Sequence, residues 1–456
     1  MKLRRTPRPL GRVAFLTPYD GGNRGDAAIH EALIANFRRF DPGIRLCGIT
    51  LDPDRTSRLH GIPCYSLAVT SRPHYHPKRE QSQTHEGEHR SDLASLSMSR
   101  FQRFRRLAAA IPFLRRLKIL ADEAKHVVRS YRLLRDIDML VIAGGGQLDE
   151  EWGGSWGHPY ALMKWTVLAR AAGSSVVFLS TGACQMKSKL TRLFLKRALS
   201  LACYRSYRDE ESRRLATLLT PKGDGAVIPD LAFSLPLQGP QDEVEAKQTG
   251  VRVGVSPIAY GRTALWPSED PVQHERYISQ LAGFVTSLLR RGMLVTLFSS
   301  SCPDERLFVD LQARIDPGLE DEARQRLSTT DITSLDDLLT VLRSFDFVVS
   351  SRLHGVLLSF VVGKPAVAIS YDRKVRCLMD EMGQSFYCLD IESFTSDNLL
   401  TVFLDLQVNR AQVAEKVKST RCYYNEMLQS QYLRVTRLLA NRNDPSLRTD
   451  IAVVQD

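Results

Sequence analysis

Arg352 and His354 stand two positions apart in SRLHGVLLSFVVGKPAVAISYDRK (residues 351–374), at the first bend of an otherwise apolar run. A guanidinium offers a planar fork of donors matched to carboxylate and phosphate. An imidazole titrates near neutral pH and suits proton transfer. The setting favours anions. FVVSS, just before the pair, reads as a buried strand, and GVLLSFVVG has helical length and stops on Gly363, with Pro365 beyond. PAVAISYD reads as a second buried strand. Ser350, Ser351, Arg352 and His354 then fall at the carboxyl end of a strand, where open parallel sheets bind ligands. The free N–H groups of the following helix, from Leu353 and Gly355 onward, add a positive dipole.

Three further stretches put chemistry-bearing residues at strand ends. GGNRGDAAI (residues 21–29) follows a strand and opens a helix; Gly21, Gly22 and Gly25 let the backbone come close to a ligand, and Asp26 is placed to cap the helix. The stretch departs from GxGxxG and lacks the Lys-Ser/Thr of a P-loop, so it carries little weight as a nucleotide-phosphate site. VIAGGGQLDEEWGG sets Gly144, Gly145 and Gly146 directly after a buried strand, which predicts close approach of backbone to ligand. Asp149, Glu150, Trp152 and His158 follow and are candidates to line a hydroxyl-rich site; His158 reads equally well as a satisfied surface residue. In YRSYRDEESRRL, Arg208 is an anion candidate, with Asp209 either capping the next helix or pairing with it. The histidines of HYHPKREQSQTHEGEH (His74, His76, His85, His89) lack ordered spacing and neighbouring cysteines, so a solvated loop is expected there and no metal site.

The elements that must position these residues alternate strand with helix along two halves of a 456-residue chain, too long for one ordinary domain. The fold class predicted is α/β, with two Rossmann-like, doubly wound domains facing across a cleft. Residues 1–238 form the first domain, with a basic insertion about 52–135; residues 239–250 are a polar linker, 251–398 the second domain, and 399–456 a helical tail. Residues 52–92 are polar and rich in Pro, His and Arg and read as a mobile insertion. Hydrophobic content of 43% and charge of 25% describe a soluble globular chain. No stretch reaches the ~20 apolar residues of a membrane helix, and the N-terminus reads as a basic tail, not a signal peptide. The eight scattered cysteines read as reduced, buried thiols of a cytoplasmic protein.

The net charge of +11 is concentrated. Residues 100–135 hold eleven Lys/Arg against Asp122 and Glu123, hence +9, and FQRFRRLAAAIPFLRRLKIL (residues 101–120) interleaves these cations with apolar side chains. Two readings stay open: peripheral contact with an anionic membrane surface, or a solvated helix face. Nucleic acid is not expected, since no reader motif accompanies the charge.

Taken together, NRGDAAI, the GGG turn, YRDEES, PDLAF and SRLHGVLLSFVVGKPAVAISYDRK, in that order from Asn23 to Lys374, resemble the polysaccharide pyruvyltransferase family. The resemblance implies a GT-B-like pair of domains and transfer of a carboxyvinyl group from phosphoenolpyruvate onto two sugar hydroxyls. It implies phosphoenolpyruvate as co-substrate without a resident cofactor, a glycan or lipid-linked oligosaccharide acceptor, and work at the cytoplasmic face of a membrane. His354 is then assigned an acid/base role, with hydrogen-bond donation to phosphate as its competitor, and Arg352 and Arg208 hold the anionic groups. Ser351, Leu353, Gly355, Asn23, Asp26, Asp149, His158, Tyr371, Lys374 and the three glycines complete the expected substrate contacts. The alternatives are a GT-B glycosyltransferase using a nucleotide sugar and an inactive sugar- or membrane-binding scaffold.

Overall fold

The computed structural model describes residues 11–69, 112–221, 225–237, 250–262, 270–301 and 306–443. The histidine-rich stretch, the start of the basic segment and the expected linker up to residue 249 lie outside the described residues.

Short β-branched and aliphatic runs form two all-parallel sheets. The first comprises β1 (Arg12–Leu16), β2 (Arg45–Thr50), β3 (Cys64–Ser66), β4 (Met139–Leu148), β5 (Ser175–Ala183), β6 (Tyr204–Tyr207) and β7 (Ala226–Val227), in the order 3-2-1-4-5-6-7. The second comprises β8 (Arg252–Ser256), β9 (Leu294–Leu297), β10 (Leu327–Thr329), β11 (Phe347–Ser350), β12 (Ala366–Ser370) and β13 (Cys388–Asp390), in the order β10-β9-β8-β11-β12-β13. Both orders reverse beside their first strand, which is the dinucleotide-fold topology with its switch point. Strands buried on both faces read as continuous apolar runs, and FVVS of β11 and AVAIS of β12 are buried throughout.

The period-two alternation of β1 divides the core. Val13 and Phe15 join a cluster that continues through the 3-10 turn Leu231–Ser234 into the second domain, whereas Ala14 and Leu16 face a separate cluster around Trp165 and Phe178. Local signals set the helix starts. Asp209, Asp270 and Asp372 accept from backbone N–H groups at the first turns of their helices, and Ser334 and Thr395 make capping boxes.

The polar segment from Asp52 is not all insertion. Asp52 caps a helix, Pro53–His60, and β3 then pairs with β2 at the sheet edge. Composition hides this helix because it buries only Thr56 and His60. The C-terminal helix, Arg410–Asn443, packs back on the first domain. Gln429 Nε2 donates to Asn36 Oδ1 at 2.8 Å, the Tyr432 ring meets Phe37 at 5.9 Å, and Gln431 accepts from the hydroxyls of Ser206 and Tyr204. The cysteines depart in part from expectation: the described ones are free, but Cys203 and Cys422 are exposed.

A buried histidine pair joins the first helix, α1 (Arg24–Phe40), to the helix Pro53–His60. His30 and His60 stack at 5.1 Å, with Tyr19 against both. His60 Nδ1 meets Glu31 Oε1 at 2.6 Å, while neither nitrogen of His30 has a hydrogen-bond partner among the described residues. Burial first, then the neighbouring His60, holds the His30 pKa well below the ordinary imidazole range. The unfolded chain takes up a proton at His30 below about pH 6.5 and the folded chain does not, so stability is lost as pH falls through that value. His30→Leu should therefore flatten the fall in melting temperature on acidification from about pH 7 to about pH 5. Thermal denaturation across that window checks it; an unchanged slope would assign the acid sensitivity to other groups.

Candidate active site

The turn after β1 and the turn after β11 meet across the domain boundary. Asn23 caps α1, its Oδ1 accepting from Gly25 N–H at 2.9 Å, so the helix begins at Arg24. Asp26 is therefore a first-turn residue and not the cap that the sequence suggested, because the asparagine three residues earlier takes the free N–H. Asn23 also bridges to Ser301, and Arg24 N–H donates to Ser300 O at 3.1 Å, which ties the start of α1 to the second domain.

His354 rests on that first turn. A Cβ added at Gly25 would lie 2.0 Å from Cγ of His354, so the glycine is required for side-chain contact between domains, not for approach of a ligand. His354 Nε2 stands 4.0 Å from Asp26 Oδ1, is buried, and has no hydrogen-bond partner among the described residues. Burial raises the Asp26 pKa, an effect that His354 opposes. An imidazole beside a carboxyl that is one-third exposed can hold a proton and exchange it with the surroundings.

Backbone and hydroxyl contacts shape the rest of the bend. Arg352 occupies the N-cap position of the helix Leu353–Val361 in extended conformation, and its N–H donates to Ser350 Oγ at 3.1 Å. A Cβ on Gly355 would come within 2.2 Å of that hydroxyl. Ser351, expected as a substrate contact, is fully buried, and its hydroxyl is 2.8 Å from Tyr277 OH; it braces the turn. Leu353 faces Arg208, Asp230, Lys374 and Glu381 along one narrow cleft.

Arg208, at the end of β6, is only 13% exposed and is held by two acids, with Nε 3.4 Å from Asp209 Oδ2 and Nη1 3.7 Å from Asp230 Oδ2. Asp209 also caps the helix Glu210–Leu219, its Oδ1 accepting from Ser212 N–H at 2.7 Å. The guanidinium lies against Gly182 of β5, where a Cβ would approach Nη2 to 3.0 Å. Asp230 Oδ2 is otherwise buried without a hydrogen-bond partner.

Lys374, from the turn after β12, projects into the same space. Its ammonium is 3.3 Å from Asp372 Oδ2 and 5.6 Å from the Tyr371 ring centroid. Burial lowers its pKa, but Tyr371, Asp372 and Glu151 together raise it above the ordinary ammonium range. Across from it, burial and then Glu151 push the Asp149 pKa up to about 7; burial and then Asp209 do the same to Glu381. The folded chain keeps these protons where the unfolded chain has released them, so this pair lowers stability as pH rises from about 4 toward 7, opposite in sign to His30.

The glycine triplet serves two ends. A Cβ on Gly144 would press on Leu231 and Ile29 at 3.1 and 3.2 Å, so its small size is required by packing within the protein. Gly145 has φ +69°, a left-handed conformation that favours glycine, and Gly146 is exposed beside Asp149. His158 does not line the cleft. It is fully buried at the start of the helix His158–Ala171, its Nε2 2.9 Å from Gln147 Oε1, and burial lowers its pKa to about 3. Sequence placed it near the site because it follows the triplet closely, but the helix turns it inward. Asp230 and Glu381 escaped the sequence reading. Asp230 sits in PDLAF after a strand, a usable signal, whereas Glu381 ends a helix that carries none.

The site thus gathers His354, Asp26, Arg208, Lys374 and Asp149 from strand ends of both sheets. Solved structures share the architecture at low identity. A UDP-GlcNAc 2-epimerase from Neisseria meningitidis, bound to UDP-GlcNAc, matches with TM-score 0.53 and 10% identity over 94% of this chain and 99% of that one. A glycosyltransferase from Rickettsia africae matches with TM-score 0.53 and 9% identity over 94% and 98%. An Anabaena protein in complex with UDP and glucose matches with TM-score 0.52 and 13% identity over 94% and 99%. These establish a GT-B fold. The polysaccharide pyruvyl transferase sequence model matches residues 23–373, spanning the α1 turn, the triplet, Arg208, His354 and the turn before Lys374. The chain belongs to the polysaccharide pyruvyl transferase family.

Proposed function

We propose that this protein transfers the carboxyvinyl group of phosphoenolpyruvate to two hydroxyls of one sugar in a surface or exopolysaccharide precursor, leaving a pyruvate ketal and inorganic phosphate. The observation that carries the reading is the meeting of His354 and Asp26 across the domains, beside a cleft that holds the cations Arg208 and Lys374. Phosphoenolpyruvate presents carboxylate and phosphate on one small frame, and guanidinium and ammonium groups match both. Arg352, at the N-cap of the helix Leu353–Val361, is the third cation in this reading, beside that helix's N-terminus.

The chemistry is acid–base. Protonation of C3 makes C2 electrophilic; one sugar hydroxyl adds to C2 as it gives up its proton. Phosphate leaves, the second hydroxyl adds at C2, and its proton departs with the phosphate. Of the two hydroxyl protons, one ends as the third hydrogen of the new methyl group. His354, with Asp26 beside it, is the group that moves these protons. Asp209 and Asp230 orient Arg208.

Phosphoenolpyruvate should raise the melting temperature, because binding adds RT ln(1 + [L]/Kd) to stability, about 2.7 kcal/mol at a hundredfold excess over Kd. Differential scanning fluorimetry with phosphoenolpyruvate, inorganic phosphate and UDP-sugars checks it. A shift with UDP-sugars alone would replace this reading with nucleotide-sugar glycosyl transfer.

A further inference from the structure

The helix Pro112–Leu134 carries an apolar stripe and a row of cations side by side on its exposed face. Leu117, Leu120, Val128 and Tyr131 are 47%, 66%, 48% and 38% exposed. At 100° per residue they fall, with Ala121 and Ala124, in a single stripe about 100° wide. The inward side is different: Glu123 and Ser130 are buried there, and Lys164 Nζ and Tyr160 OH reach Glu123 Oε1 at 3.1 and 2.9 Å. Lys118, Lys125, Arg129 and Arg132, all exposed, run along one edge of the stripe at about 70–130° from its centre. None of the four makes an ion pair among the described residues.

The surface continues on the neighbouring helices. Tyr160 stacks near Trp156 and Phe194, at 5.5 Å between Trp156 and each ring. Trp156 is 54% exposed and Leu193 60% exposed. Trp156 belongs to the connection between β4 and the helix His158–Ala171, as does Asp149.

We infer that this face docks on an anionic phospholipid bilayer, the apolar stripe entering the headgroup boundary and the row of cations meeting lipid phosphates. An apolar stripe edged by cations is the pattern of an interfacial helix, and a tryptophan beside it suits the same boundary. A nucleic-acid groove would set cations at its centre, not leucine and valine. A two-fold dimer through this face would bring its cations close to their own copies. No described helix is long and apolar enough to cross a membrane, so the contact is peripheral. The inference stands apart from the reaction catalysed, since vesicle binding is read without turnover.

The test is co-sedimentation of the full chain with vesicles of phosphatidylcholine alone and of phosphatidylcholine mixed with phosphatidylglycerol, at low and high salt. Binding should require phosphatidylglycerol and be lost at high salt, because exposed charges are screened within ~10 Å at 0.1 M. Each surface cation contributes about fivefold, so K118Q/K125Q/R129Q/R132Q should weaken binding more than a hundredfold with an unchanged melting temperature. L120S/V128S should weaken it on its own. Equal sedimentation with both vesicle types, none with either, or binding unaffected by both variants overturns the inference. So does loss of a dimer in L120S/V128S without vesicle binding by the parent, or retention on DNA without it.

Discussion

His354→Ala should abolish ketal formation while leaving the protein folded. The side chain is 13% exposed, and its Nε2 has no hydrogen-bond partner among the described residues, so truncation leaves no donor or acceptor stranded. What it removes is the one imidazole brought against Asp26 at the domain boundary. General acid–base groups contribute roughly 10²- to 10⁴-fold, and kcat should fall by at least the lower figure. Saturating phosphoenolpyruvate should not restore it, since the lost group acts in the transition state and not in uniform binding. Mass spectrometry of a glycan acceptor, looking for the added pyruvate ketal, reads the outcome beside a melting curve. Turnover close to that of the parent would remove His354 from the reaction and leave it a packing residue between domains.

The second large effect is a change of sign. Alanine is normally better than glycine inside a helix by about 1 kcal/mol, so Gly25→Ala would stabilise α1 in isolation. Here the new Cβ would sit 2.0 Å from Cγ of His354 and 2.2 Å from its Nδ1, distances that no atom pair tolerates. The ring or the whole turn must move, and over-packing of this kind costs about 1–3 kcal/mol. Gly25→Ala should therefore lower the melting temperature and reduce kcat sharply. His354→Ala keeps a Cβ 2.3 Å from the new one, so only in a His354→Gly background is the obstacle gone, and there the same substitution should become neutral or stabilising. A double-mutant cycle of melting temperatures measures that coupling; additive effects would mean that His354 does not rest on Gly25 in solution.

These two residues also show where sequence reading reached its limit. The strand–turn–helix–strand unit around Arg352 was legible, because buried parallel strands are continuous apolar runs and the helix ends on glycine and proline. The placement of Arg208, Lys374, His354 and Asp149 at strand ends followed from the same alternation. Why Gly25 is glycine did not, since its neighbour lies 329 positions away in the chain, on the other domain. A glycine before a helix looks alike whether a ligand or a side chain rests on it.

What the sequence by itself determined is therefore local and periodic: the parallel α/β class, two alternations, and the turns that carry cations and an imidazole. Only the tertiary structure decided which turns meet. It turned His158 inward to Gln147 and placed the helix Pro53–His60 where the composition read as insertion. It also brought Gln431, far along the chain, onto Ser206 beside Arg208. The physical reason is that hydrophobic periodicity records which face of an element is buried, but not which distant element buries it. A site made between two domains depends on the second quantity, and that is set by packing in three dimensions.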